Sequence, residues 1–226
     1  MPTIRFLGHA CFELTEAEVN VLIDPFLTGN PKAAVSADDV NPTHIFLTHG
    51  HEDHYGDAIP IAKRTRAELV TLVETAGELS EHHDGEVKDP NLGGTVEYDW
   101  GWVKFVPAWH TSTTPNGTVA TAAGIVVEIG GKTIYHLGDT ALFSDLGLIK
   151  RRHPVDVAIV PIGGHYTMDR YDAVTACAFV EADRVIPCHY DTFPPIETDA
   201  EAFKADVDRD TASEAVILQP GETYEA

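Results

Sequence analysis

The chain is poor in cysteine, in basic residues and in long apolar runs, and each shortage narrows what it can be. Only Cys11, Cys177 and Cys188 occur among 226 residues. An odd count without paired spacing argues against a disulfide framework. No CxxC pair is present, which argues equally against a thiolate zinc site, and each cysteine is expected to pack as a small apolar residue. Lysine and arginine total 15 against 36 acidic residues, for a formal net charge of −21. A surface of that sign repels polyanions, so nucleic acid is not an expected partner. The basic run Lys150-Arg151-Arg152 is too short to change this and reads as the charge complement of a helix C-terminus. No stretch approaches the roughly 20 apolar residues of a membrane span, so no membrane association is expected. The opening Met1-Pro2-Thr3-Ile4-Arg5 lacks the pattern of a secretory signal, and a cytoplasmic location is expected. Without a low-complexity segment, a short repeat or a Gly/Ser linker, residues 1–226 read as one domain.

What is present is strand and helix signal mixed throughout. Ile4–Leu7, Cys11–Leu14 and Val19–Ile23 read as strands, with a polar turn over Thr15–Asn20. His44–Thr48 is a short buried-strand candidate, followed by helical spacing at Ile59, Ile61 and Ala62. Val96–Pro107 reads as strands interrupted at Trp100-Gly101, and Gly124–Leu137 as a hairpin turning at Gly130-Gly131. Val155–Ile162 is an apolar run of buried-strand type. Helices are expected over Asp172–Glu181 and Ala200–Val207, with a strand at Arg184–Cys188. Such alternation predicts an α/β layered architecture.

The strongest local signal is His49-x-His51-x-Asp53-His54, four metal-compatible side chains within six residues at the end of an apolar strand. Neutral imidazole and carboxylate suit zinc, iron, manganese or nickel. In an extended segment His49, His51 and Asp53 share one side and His54 points to the other. Gly50 permits a close turn. Three further apolar runs each end in one such residue: His110 after Val106-Pro107-Ala108-Trp109, Asp139 after Tyr135-His136-Leu137-Gly138, and His189 after Ile186-Pro187-Cys188. Sites in open α/β sheets collect at strand ends.

This ordered set resembles the metallo-β-lactamase superfamily. Phe6-Leu7-Gly8-His9-Ala10-Cys11-Phe12, Ile23-Asp24-Pro25-Phe26, Asn91-Leu92-Gly93-Gly94-Thr95, the Gly163-Gly164-His165-Tyr166 segment and Pro187-Cys188-His189-Tyr190-Asp191-Thr192-Phe193-Pro194 narrow it. Together they are similar to predicted metal-dependent hydrolases related to the ascorbate-6-phosphate lactonase branch. The resemblance spans essentially the whole chain. It implies a four-layer αββα sandwich with two divalent metal ions at one edge, zinc or manganese first and iron or nickel as alternatives. It implies that His49, His51 and His110 hold one ion, that Asp53, His54 and His189 hold the other, and that Asp139 bridges them. Asp53, His54 and Asp139 then carry the catalytic role. The implied chemistry is hydrolysis of a small ester, lactone, amide or phosphodiester by metal-activated water.

Asp24 and Thr48 are candidates to orient the imidazoles. His9, in the Gly-His-Ala-Cys loop, is a candidate to contact a metal-bound carboxylate or the substrate, and His165 a candidate to face substrate. His82 and His83 read as surface. His44, His136 and His153 read as packing or hydrogen-bonded structure, and Trp100, Trp102 and Trp109 as core. Competing readings on the same fold are an iron-dependent redox enzyme, a non-catalytic metal-binding regulatory protein and an RNA-processing nuclease. The acidic charge opposes the last. A small-molecule substrate is the expected partner, and the lactonase-like relatives suggest self-assembly.

Overall fold

The computed structural model describes residues 1–226. In the first half of the chain the strands are β1 (Thr3–Gly8), β2 (Cys11–Glu16), β3 (Val19–Ile23), β4 (His44–Phe46), β5 (Glu68–Val70) and β6 (Val87–Lys88). Helices α1 (Glu52–Tyr55), α2 (Ala58–Thr65) and α3 (Val73–His82) lie between the last three. The second half holds β7 (Thr95–Tyr98), β8 (Gly101–Pro107), β9 (Ala123–Ile129), β10 (Lys132–His136), β11 (Val157–Pro161), β12 (Arg184–Cys188), β13 (Glu214–Ala215) and β14 (Thr223–Glu225). Its helices are α4 (Leu146–Arg152), α5 (Arg170–Val180) and α6 (Ala200–Asp210).

Two seven-stranded mixed sheets result, ordered β14-β1-β2-β3-β4-β5-β6 and β13-β12-β11-β10-β9-β8-β7. Alternation within each strand decides what lies on each face. Ile4, Phe6, Phe12, Val21, Ile23 and Phe46 of the first sheet pack against Val103, Ile125, Val127, Val157, Ile159 and Ile186 of the second, forming a central core. The residues between them turn outward. Leu22, Ile45 and Leu69 meet Ala58, Ile61 and Leu79 of α2 and α3. Ala158, Val160 and Val185 meet Ala173, Ala176, Val180 and Phe203 of α5 and α6. A strand covered on both faces must be apolar at every position, which is why Val157–Pro161 is a continuous apolar run and is buried throughout. The architecture is therefore the expected αββα sandwich. No helix is long and apolar enough to cross a membrane.

Some local expectations need correction. Trp109 is 70% exposed, because the apolar alternation of β8 ends at Pro107 and the residue after Ala108 has no facing layer. His83 is buried, beneath the turn at Gly85, whereas its neighbour His82 is exposed. Helix α3 lies outside the sequence expectations, whereas α4 ends on the basic run Lys150-Arg151-Arg152 expected at a helix C-terminus.

The topology also fixes where loops meet. β1, β3 and β4 run in one direction within the first sheet, and β8, β10, β11 and β12 in one direction within the second. The segments bearing His9, Asp24, His49, His110, Asp139 and His189 all leave the C-terminal ends of these strands. They converge on one edge of the sandwich.

Candidate metal centre

Residues 49–51 form the loop after β4, but Glu52–Tyr55 is helical with His51 as its N-cap. The extended geometry expected through Asp53 is therefore replaced by a helical turn. Asp53 and His54 become successive helical residues, about 100° apart around the axis. Asp53 faces His9 and His189, while His54 turns inward between Asp24 and Asp139.

The donor atoms fall into overlapping groups, each within 4.8 Å: His49, His51 and His110; His9, Asp53, His54 and His189; and His49, His54 and Asp139. Asp139 stands between the first two groups, its Oδ2 lying 3.1 Å from His189 Nε2, 3.4 Å from His54 Nε2 and 3.6 Å from His110 Nε2. His49 Nε2 lies 3.0 Å from His51 Nδ1. Donors bound to one ion at about 2.0–2.2 Å sit roughly 3.3 Å apart, so these spacings suit shared coordination. His54 Nε2 and His189 Nε2 are buried and have no hydrogen-bond partner despite their closeness to Asp139, since they lie off hydrogen-bonding geometry. Orphaned ring nitrogens aimed at a common point fit a divalent cation.

Neighbouring side chains settle which ring nitrogen faces that point. Asp24 is fully buried and its carboxylate accepts three hydrogen bonds: from Thr48 N (2.8 Å), Thr48 Oγ1 (2.6 Å) and His54 Nδ1 (2.7 Å). A carboxylate only accepts, so His54 Nδ1 carries a proton and Nε2 is the atom that faces the centre; against burial, Asp139 and Asp24 raise the pKa of this ring, so a metal ion at Nε2 takes the place of a proton. Thr48 Oγ1, having donated to Asp24, accepts from His49 Nδ1 at 3.0 Å, which leaves His49 Nε2 bare. His9 Nε2 donates to Asp53 Oδ2 at 3.1 Å, and its Nδ1 then accepts from the Thr192 hydroxyl at 2.8 Å. Burial lowers the His9 pKa to about 4, with the Asp53 hydrogen bond opposing, so this ring is neutral.

Charge within the cluster is unusual. Asp24, Asp53 and Asp139 pair with imidazoles and with no lysine or arginine. Burial alone raises a carboxyl pKa, yet Asp139 is held well below its ordinary value by His189 and His54, and Asp53 is held low by the neighbouring His189 and His9 rings. Reciprocally, burial lowers the His189 pKa, but Asp139 and Asp53 outweigh it and lift it to about 9. Without metal, protons on imidazole supply the positive charge that these carboxylates require.

Three backbone positions make the convergence feasible. At Gly138, with φ +65° just before Asp139, a Cβ would lie 2.4 Å from Ala123 O and 3.3 Å from the Thr48 side chain. At Gly163 a Cβ would lie 2.2 Å from His189 O. At Gly50 it would lie 2.8 Å from Thr114 Cγ2, and Gly50 N donates to Ser112 Oγ at 3.0 Å.

The cluster floors a cavity of about 720 Å³ lined by Phe26, Thr28, Gly29, Glu52, Thr111, Tyr166 and Phe193 above the ligand residues. His165 does not line it. That residue is exposed, and its ring packs edge-on against Tyr166, which takes the place expected of His165 at the cavity. Thr192, Ser112, Phe26 and Phe193 escaped sequence reasoning because single polar or aromatic residues in loops carry no periodic signal. His136, read as hydrogen-bonded structure, does bond Ala10 O through Nε2 at 3.1 Å and accepts from Gly138 N at 3.0 Å.

Fold and cluster together define a metallo-β-lactamase-type hydrolase, and residues 3–189 match the family described as beta-lactamase superfamily domain. Similar full-length relatives are UPF0173 metal-dependent hydrolases. One from Thermus thermophilus is 45% identical over 98% of each chain. One from Methanopyrus kandleri is 46% identical over 98% of this chain and 99% of its own. A metallo hydrolase from the archaeon Ignicoccus hospitalis superposes with a TM-score of 0.90 at 31% identity, covering 100% of this chain and 99% of its own. The chain belongs to the beta-lactamase superfamily and, within it, to the UPF0173 metal-dependent hydrolases.

Proposed function

We propose that this metal-dependent hydrolase works with two divalent ions, zinc or manganese, on a small ester, lactone or phosphodiester. The observation that carries the reading is the set of three carboxylates whose only ionic partners are imidazoles, two of which aim buried, unpartnered Nε2 atoms at a common point. His49, His51 and His110 form one ligand set, and Asp53, His54 and His189 the other. Asp139 is shared. Ions held there supply a Lewis acid for the substrate's oxygen and a hydroxide source near neutral pH. The donors are nitrogen and oxygen without thiolate, which suits those metals.

The chain's own residues do the rest. Asp24 and Thr48 hold the protons of His54 and His49 on Nδ1, so that both Nε2 atoms stay available. His9 orients the Asp53 carboxylate through Nε2 and is itself held by Thr192. Asp139 supplies negative charge between the two sets. The cavity leaves room for a substrate directly above these donors.

The test is metal analysis of protein prepared without a metal-affinity tag, with turnover of ester, lactone and phosphodiester substrates measured with and without chelator. Two ions per chain and chelator-sensitive turnover are expected. One ion at saturation, or turnover that survives chelation, refutes the binuclear reading.

A further inference from the structure

The cavity over the metal centre has aromatic walls that carry no cation. Its lining contains no lysine or arginine, although the chain has 15 of them. Apart from the imidazoles of the floor, its charged side chains, Glu52, Asp53 and Asp139, are all acidic, and Asp24 lies directly behind His54. These four carboxylates balance the charge of two divalent ions, so the loaded site offers an anionic substrate no net excess of positive charge. The protein's net charge of −21 adds long-range repulsion. A phosphate or carboxylate lodged against these walls, away from the ions, would lose water without gaining a cationic partner, which is unfavourable.

The walls favour the opposite kind of group. Phe26, from the loop after β3, and Phe193, from the loop after β12, are half-buried, with ring centroids 6.4 Å apart and planes inclined by 34°. Both pack edge-on against His9, at 5.7 and 5.6 Å, which joins them to the donors beneath. Tyr166 adds a third aromatic side chain and is 55% exposed. The first wall is pinned in place: Asp57 Oδ2 accepts from Leu27 N at 3.0 Å and from Thr28 N at 2.7 Å. A preformed cavity of about 720 Å³ has room for a ring or branched chain beside the reacting bond.

We propose that the site selects uncharged carboxylic esters or lactones bearing an aromatic or branched apolar group, which lodges against Phe26 and Phe193, and discriminates against phosphorylated and carboxylate-bearing substrates. This rests on the hydrolytic reading above and narrows it.

The experiment compares the metal-loaded enzyme on the methyl esters of phenylacetic acid and 4-carboxyphenylacetic acid, which share the reacting bond and differ in a distal charge. The neutral ester is expected to show at least tenfold higher kcat/KM. Phe193→Ala should shrink that preference, and Thr28→Lys, which adds a cation to the wall, should raise kcat/KM for the anionic ester selectively. Equal rates on the two esters, or a preference for the anionic one, overturn the proposal while leaving the hydrolytic reading intact. In parallel, binding of phenylacetamide and 4-carboxyphenylacetamide to metal-free protein is followed by ligand-observed NMR. Absence of turnover on both esters counts against the hydrolytic reading, and the binding arm then decides selectivity alone. Tighter binding of the neutral amide supports it, and equal binding or none refutes it.

Discussion

Asp24 makes no contact with the cavity, yet replacing it with asparagine should empty part of the metal centre. Its carboxylate accepts from Thr48 N, Thr48 Oγ1 and His54 Nδ1 within 2.8 Å. Asparagine keeps the shape but turns one acceptor into a donor. If its NH2 faces His54, Nδ1 must become the acceptor and the proton moves to Nε2, the atom left free at the centre. If its NH2 faces Thr48 N instead, two donors confront one another in a site with no solvent. Either arrangement leaves a buried donor unsatisfied, at a cost of about 1–3 kcal/mol. That should lower the melting temperature without unfolding the chain. Affinity for the ion at His54 should fall by about 10–100-fold, the usual effect of losing a partner that orients a ligating histidine. The assay is competitive metal titration with calorimetry, together with nitrogen NMR of the His54 ring to identify the protonated atom. Wild-type metal affinity in Asp24→Asn, with the proton still on Nδ1, would refute the reasoning.

Asp53→Ala should abolish turnover and empty the ion site at His54 and His189 while retaining the fold, whereas the exposed His82→Ala should change neither; full activity with normal metal content in the first variant would remove Asp53 from the ligand set. Gly163→Ala places a Cβ 2.2 Å from His189 O and 2.8 Å from Ile196 Cβ, so it should destabilise by at least about 1–3 kcal/mol and weaken metal binding, both read from denaturant melts and titration. In metal-free protein the His9 pKa is lowered from 6.5 to about 4 by burial. The unfolded state therefore binds more protons between those values, and this contribution of up to about 3 kcal/mol is complete above pH 6.5 and lost as the pH falls toward 4. His189 works in reverse: its pKa is raised to about 9, so its contribution is complete below pH 6.5 and fades as the pH rises through 9. Thermal melts of chelated protein should thus peak near pH 6–7, and His9→Gln should flatten the acid limb; an unchanged acid limb contradicts the buried, neutral ring.

Much was legible from local pattern. Continuous apolar runs at 157–161 and 185–188 mark strands covered on both faces, and the double glycine at 130–131 marks the hairpin between β9 and β10. The six residues from His49 to His54 announce a metal-binding loop because dense imidazole and carboxylate at a strand end has few other uses. His110, Asp139 and His189 each end an apolar run, which marks the same strand-end edge. These signals are short-range, and a chain carries them in its own spacing.

The remainder is decided by packing between segments far apart in sequence. Whether Glu52–Tyr55 extends or coils depends on the turn's fit beside Asp24 and the Thr114 loop, not on its composition. That His9 meets Asp53 and Thr192, 44 and 183 residues away, follows from two sheets stacked with their C-terminal strand ends together. The same stacking buries His83, exposes Trp109, sets Tyr166 rather than His165 at the cavity and brings Phe26 beside Phe193. A linear pattern records the spacing of donors along one strand or loop. Proton positions on the imidazoles and the character of the cavity walls depend on neighbours that only the packed sandwich supplies.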